Sequence, residues 1–224
     1  MAKFRIDWFR AETLGDFGEL RRYYERIEAQ LEEASRLELF AIESKPKPKD
    51  WETYQQTIQI ELDAHEHEFS KSLPRILTYS LISSLHTVVE YRLRGICQEL
   101  KKRNDHPVSV TKFQGSIVDK VGLFFKAFQY PPLKGDEIQK LRDFIIVRNC
   151  IIHNTGFIEG SKGEKRLREL SKKSSNDVTL DWEKRIFVTP PYFIEHLDFF
   201  TDMFQRLFMT LNFGPESFEL IDEN

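Results

Sequence analysis

The sequence predicts an all-α fold, an antiparallel helical bundle with long N-terminal helices, on three observations. Apolar residues recur at helical spacing through most of the chain. Nineteen phenylalanines and a 40% share of hydrophobic residues among 224 can fill one sizeable interior. Strand-like alternation is confined to two short runs in the C-terminal third, which fit a small β-hairpin. The chain therefore reads as a single domain over 1–224, with 1–50 as an N-terminal helical extension and 157–189 as an inserted basic loop and hairpin.

Each element has its own justification. Residues 16–44 form an amphipathic helix with Phe17, Leu20, Tyr24, Ile27, Leu31 and Leu37 near one stripe. Glu25, Glu28, Glu32 and Glu33 have basic residues interspersed and read as a solvated face rather than an ion site. Lys45 to Asp50 breaks the helix, with Asp50 as the next cap. A second helix runs from Trp51 towards Phe69. It carries His65 and His67, but a spacing of two sets them about 200° apart, so they cannot chelate one ion. Pro74 marks a kink or a new start. From Ile76 to Leu100 the helix is apolar on two faces, Leu77, Leu81, Leu85, Val88 and Tyr91 on one and Ile82, Val89, Leu93 and Ile96 on the other. Such a helix belongs in the middle of a bundle. On a third face His86, Glu90 and Arg94 follow at steps of four, which can make a polar ladder.

Residues 104–115 read as a loop and 116–128 as a short helix with Val118, Val121, Phe124 and Phe125 inward. Residues 159–173, rich in lysine and arginine and holding two glycines, read as an exposed basic segment. Val178–Trp182 and Arg185–Thr189 alternate as hairpin strands around Glu183 and Lys184. Pro190 and Pro191 open a final helix in which Phe193, Leu197, Phe200, Phe204 and Leu207 share a stripe, widened by Phe199 and Phe208. That stripe is core packing rather than a base-stacking platform. The acidic tail after Gly214 is expected to fray.

Composition excludes some functions. A net charge of -3 with 31% charged residues argues against a dedicated duplex-DNA binder but leaves room for a local positive cleft. Cys97 and Cys150 sit in helical patterns without metal-ligand spacing, and are expected to be buried free thiols. The N-terminus MAKFRIDWFR lacks an apolar signal region and no long apolar run follows, so a cytoplasmic protein without membrane contact is expected. No P-loop, GxSxG, CxxC pair or glycine-rich dinucleotide turn is present.

The stretch of greatest interest is GDEIQKLRDFIIVRNCIIHNTG, residues 135–156. Gly135 and Asp136 supply a break and an N-cap, and Asn154, Thr155 and Gly156 supply a stop. At about 100° per residue Leu141, Phe144, Ile145 and Ile152 share a face with Arg148 in its middle. A guanidinium there needs a carboxylate, carbonyls, a partner chain or a bound phosphate. Ile146, Val147, Cys150 and Ile151 make the other sides apolar too, which suggests contact on more than one side, one of them with a second subunit. Asn149 and His153, four residues apart, can converge on one ligand, and the long Arg148 side chain can reach the same pocket.

The run Arg148-Asn149-Cys150-Ile151-Ile152-His153, an arginine, a polar residue, mostly apolar filler and a histidine near a helix end, resembles the R-x4-6-H motif of the HEPN superfamily. The resemblance is tight over residues 141–156 and extends to the rest of the bundle in architecture alone. It implies metal-independent RNA cleavage, in which the 2′-OH attacks the adjacent phosphate to leave a 2′,3′-cyclic phosphate and a 5′-OH. His153 would move the proton, Arg148 would hold the phosphorane oxygens and Asn149 would bind phosphate or orient the imidazole. Glu90, on a neighbouring helix, and Asn154 are supporting candidates, Glu90 having an intrahelical pair with Arg94 as its alternative. Lys162, Lys165, Arg166 and Arg168 follow the motif closely enough to guide an RNA backbone. One imidazole cannot easily act as base and acid together, which implies a homodimer through the motif helix. No cofactor or metal is implied. Family analogy adds a toxin–antitoxin or antiviral-defence role, with an antitoxin or regulatory protein as partner. The alternative is a non-catalytic HEPN-like module for dimerisation or for binding protein or RNA.

Overall fold

The computed structural model describes residues 8–46, 51–173 and 177–213. The helices are α1 (Trp8–Glu43), α2 (Trp51–His67), α3 (Leu73–Arg103), α4 (Ile117–Ala127), α5 (Gly135–Asn154), α6 (Glu164–Lys173) and α7 (Pro190–Thr210). The strands β1 (Val178–Leu180) and β2 (Ile186–Val188) form an antiparallel hairpin with Val178 opposite Val188. The fold is thus the all-α bundle with one small hairpin that the periodicity predicts. The expected Asp50 cap and the tail after Gly214 lie outside the described residues.

Helix α3 occupies the middle and packs against α1, α4, α5 and α7. Two apolar faces make this placement necessary: Leu81, Ile82, Leu85, Val89, Leu93 and Ile96 are all buried. Tyr91 departs from the expectation and is 65% exposed; its ring lies against the Arg92 guanidinium, whose partners are Asp16 and Glu12 of α1. Along α7, Phe193, Phe200, Phe204 and Phe208 are fully buried. They join Phe17, Phe124, Phe125 and Phe144 in an aromatic interior.

Helix α1 starts two turns earlier than its stripe suggests. Its first residues are drawn into the helix by tertiary packing: Phe9 meets Phe208 and Phe213 with ring centroids 6.0 Å away in each case. A Cβ on Gly95 would lie 2.7 Å from the Phe9 ring, so the glycine makes room for it. Pro74 marks the expected new start, in the first turn of α3. Residues 68–72 form a π-helical turn between α2 and α3, and the Leu73 N–H reaches the Glu68 carbonyl. A widened turn absorbs the proline, which has no N–H to donate. The two histidines before it diverge as expected, His65 binding the Ser35 carbonyl at 2.9 Å while His67 is exposed.

Residues 164–173 correct the expectation of a basic loop. They form α6, whose Leu167 is fully buried. Arg168 pairs with Glu164 one turn back, and Arg166 clamps Asp143 of α5 with two hydrogen bonds of 2.7 and 2.6 Å. Intrahelical and interhelical ion pairs make a helix of a segment whose composition alone reads as solvated. The hairpin lacks a turn glycine, and Lys184 takes the left-handed conformation instead (φ 62°). Cys97 and Cys150 are buried free thiols, and burial raises them to about 12 and about 11.

One buried group ties stability to pH. His196 is 5% exposed, stacked on Phe144 and bonded through Nδ1 to the Tyr192 carbonyl at 2.8 Å. Burial lowers it from 6.5 to about 4, reinforced by the Lys140 charge. Between those values the unfolded chain binds the proton and the folded chain does not, so stability falls as the pH drops from 6.5 towards 4, by up to ~3 kcal/mol. Urea unfolding across this range should show that loss in the wild type. A smaller pH slope in His196→Gln isolates the histidine, and parallel slopes would refute the assignment.

Candidate functional site

Helix α5 is fixed at its start by Glu137, which is 5% exposed. The Glu137 carboxylate accepts the Lys134 N–H at 2.8 Å and both donors of an Arg206 fork from α7, one of them at 2.6 Å. The cap position is therefore Lys134, in extended conformation, rather than Asp136. A carboxylate reaching back to the free N–H does what the expected side-chain cap would have done.

The other end is fixed by a left-handed turn. Thr155 and Gly156 have φ of 50° and 87°, and the Gly156 N–H returns to the Cys150 carbonyl at 3.0 Å. A Cβ on Gly156 would lie 2.6 Å from the Tyr79 hydroxyl of α3. That hydroxyl donates to the Ile186 carbonyl in β2, while the Ile186 N–H donates to the Gly156 carbonyl. With its amide oriented by its neighbours, Asn154 accepts from the Ser161 N–H and donates to the His153 carbonyl. Asn154 thus holds the turn.

Between these anchors the buried stripe of α5 is Leu141, Phe144, Val147, Cys150 and Ile151. This rotates the expected face. Ile152 is 45% exposed and Ile145 half-buried, so Arg148 stands at the edge of the buried stripe and not at its centre. The reason lies in α6, which covers the opposite flank: a Cβ on Gly163 would collide with Ile146. Arg148 is half-buried, and its NH1 donates to the Asn149 Oδ1 at 3.1 Å. Its Nε is shielded from solvent and has no acceptor. Asn149 and His153 are exposed, on one face of the same helix.

The remaining candidates divide. Glu90 pairs with Arg94 at 2.5 Å, its intrahelical alternative, and its other oxygen lies 3.8 Å from the Nδ1 of His86. Lys162 and Lys165 are exposed. Arg166 pairs with Asp143 and Glu169, and Arg168 with Glu164 one turn back. His86 was legible as part of the polar ladder but not as a neighbour of the motif. It is 8% exposed, and the Arg148 charge is felt at its ring. Among the described residues no three histidine, cysteine or acidic side chains converge to hold a metal ion. No described helix is long and apolar enough to cross a membrane. No family model, curated protein or solved structure matches this chain.

Gly156→Ala should be destabilising on two counts, the positive φ and the collision with Tyr79, by about 1–3 kcal/mol. Denaturant unfolding of Gly156→Ala alone and combined with Tyr79→Phe tests this. Coupling between the two substitutions is expected, and strict additivity would show that the hydroxyl contact is not what fixes the turn.

Proposed function

We propose that this protein is a metal-independent endoribonuclease of HEPN type that cleaves RNA by attack of the 2′-OH on the adjacent phosphate. The observation that carries the reading is the state of Arg148. Its Nε is a shielded donor without an acceptor, on the same helix end as an exposed Asn149 and an exposed His153. A buried guanidinium N–H left unpaired costs about 1–3 kcal/mol, and a phosphate oxygen is the acceptor it fits best. Arg148 supplies the fixed positive charge that a phosphorane requires, and Asn149 is a donor beside it. His153 is an accessible imidazole, a group suited to general acid–base catalysis.

A homodimer through α5 belongs to this reading. Ile145, Arg148 and Ile152 follow at helical spacing along the edge of the buried stripe of α5, where Ile145 is half-buried against the core and Ile152 is 45% exposed. Two such flanks meeting across a two-fold axis would cover the isoleucines and bring two Arg148 and two His153 side chains into one cleft. Exposed Lys162 and Lys165 supply positive charge after the motif, while the charges of Arg166 and Arg168 are offset by ion pairs within the chain. A toxin or antiviral-defence role, an antitoxin or regulatory partner and a cytoplasmic location follow from the family analogy alone.

A second reading is favoured by a different observation. Glu90, Arg166 and Arg168 all have ion-pair partners within the chain, as expected of a non-catalytic module that uses α5 for dimerisation. Incubation of the purified protein with varied RNAs in EDTA separates the two. The nuclease should cleave RNA, spare an all-deoxy strand and leave 2′,3′-cyclic phosphate ends. Arg148→Ala and His153→Ala should each lower the rate by about 100-fold or more. Intact RNA with the wild type would leave the module.

A further inference from the structure

A second imidazole faces the motif from α3. The contact between Tyr79 and Gly156 sets the register of the two helices. His86 lies seven residues beyond Tyr79 along α3, about 10 Å of helix rise. Arg148 lies six residues before the end of α5 at Asn154, about 9 Å of rise, and Gly156 sits in the turn that closes that end. In an antiparallel pair these steps bring His86 opposite Arg148, in agreement with the influence of the Arg148 charge on the His86 ring. The charged groups facing His86 are Arg148 from α5 and Glu90 from its own helix, with Arg94 behind Glu90.

We infer that His86 is the proton-linked electrostatic residue of this site: it takes up a proton when a phosphodiester oxygen occupies Arg148. The inference rests on the phosphate-binding reading of Arg148 given above. In the free protein, burial and the neighbouring guanidinium hold the His86 imidazole below its ordinary value, so the ring is neutral. A phosphate oxygen on Arg148 cancels the positive field at the ring, and the proton becomes favourable. The anion then faces two cations where the free site offered one. Because charge on the phosphoryl group grows towards the phosphorane, the second cation is worth more in the transition state than in the ground state. The device is self-contained within one chain. Glu90, read from sequence as facing the motif, acquires a definite part, since its Oε2 is 3.8 Å from Nδ1 and its charge favours the protonated ring.

The test uses the full chain with two probes, inorganic phosphate and an RNA blocked at every 2′ position by O-methylation. The first measurement is the ring NMR signal of His86 in the wild type across pH. Its titration midpoint should move upward when either probe is bound. The second is calorimetric binding of the blocked RNA at about pH 6.5 in buffers of different ionisation enthalpy. The wild type should take up a fraction of a proton per site. His86→Gln should bind with much of that uptake lost, His153→Ala should retain the His86 share, and cleavage of unblocked RNA by His86→Gln should fall roughly tenfold. A midpoint that does not move, or equal uptake in wild type and His86→Gln, overturns the inference even if RNA is cleaved. Uptake without cleavage keeps the inference and removes the nuclease. A shift with phosphate alone assigns the site to a small phosphate rather than to RNA, and failure of both probes to bind overturns it.

Discussion

The candidate site depends on one turn, where Gly156 passes beneath the Tyr79 hydroxyl. The hydroxyl donates to the Ile186 carbonyl, and Ile186 donates back to Gly156, so a helix from the core, the end of α5 and the hairpin are locked at a single point. Tyr79 is displaced upward to about 12, chiefly by burial, and its proton stays in place across the physiological range. Because the turn fixes where α5 ends, it fixes which way His153 faces and how far along α3 the Arg148 side chain falls. A slip of one residue in α5 would rotate every side chain by about 100° and separate Arg148 from His86.

The polar groups around α5 follow one pattern. At its start the Glu137 carboxylate is fully used by a backbone N–H and the Arg206 fork. At mid-length Asp143 is used by Arg166. Near the C-terminal end the Nε of Arg148 is a shielded donor without an acceptor, as is the Nε of Arg185, whose guanidinium lies over the Phe157 ring just beyond the helix. Folds satisfy most of their buried donors, so a shielded guanidinium N–H without an acceptor is a place where a ligand or a second chain could complete the structure. Helix α6 carries its own balance of charge. Its arginines neutralise Asp143, Glu164 and Glu169, which leaves lysines at its exposed positions and a modest, salt-sensitive attraction.

Much of this was legible from residue order. The double apolar face of α3, the inward phenylalanines of α7 and the inward Val118, Val121, Phe124 and Phe125 of α4 require only local periodicity and chemistry. What was not legible depends on other elements. The first turns of α1 form because Phe9 has a place between Phe208, Phe213 and Gly95. Helix α6 forms because Asp143 of α5 fixes Arg166. The face of α5 was misjudged by its isoleucines: Ile145 and Ile152 are as apolar as Val147 and Ile151, and only the positions of α3 and α6 decide which pair is buried. For the same reason His86 could be placed in a ladder with Glu90, whereas its relation to Arg148 needed the register between two helices.

The chemistry asked of Arg148 and His153 also bears on assembly. Phosphodiester cleavage by internal attack requires a proton to leave the 2′ oxygen and another to reach the departing 5′ oxygen, and His153 is one exposed imidazole per chain. Within a helix Arg148 and His153 are separated by about 7.5 Å of rise and about 140° of rotation, so their side chains diverge unless a substrate bridges them. Two copies related by a two-fold axis through the Ile145–Ile152 flank remove that difficulty, since the His153 of one chain can then face the Arg148 of the other. His86, set behind Arg148 and 8% exposed, does not replace the second His153 as a proton-transfer group. In the proposed reaction it would add charge where a phosphate binds, while the exposed imidazoles would handle the two oxygens that flank it. The dimer would supply the acid and the base, and each chain's own α3 the additional positive charge.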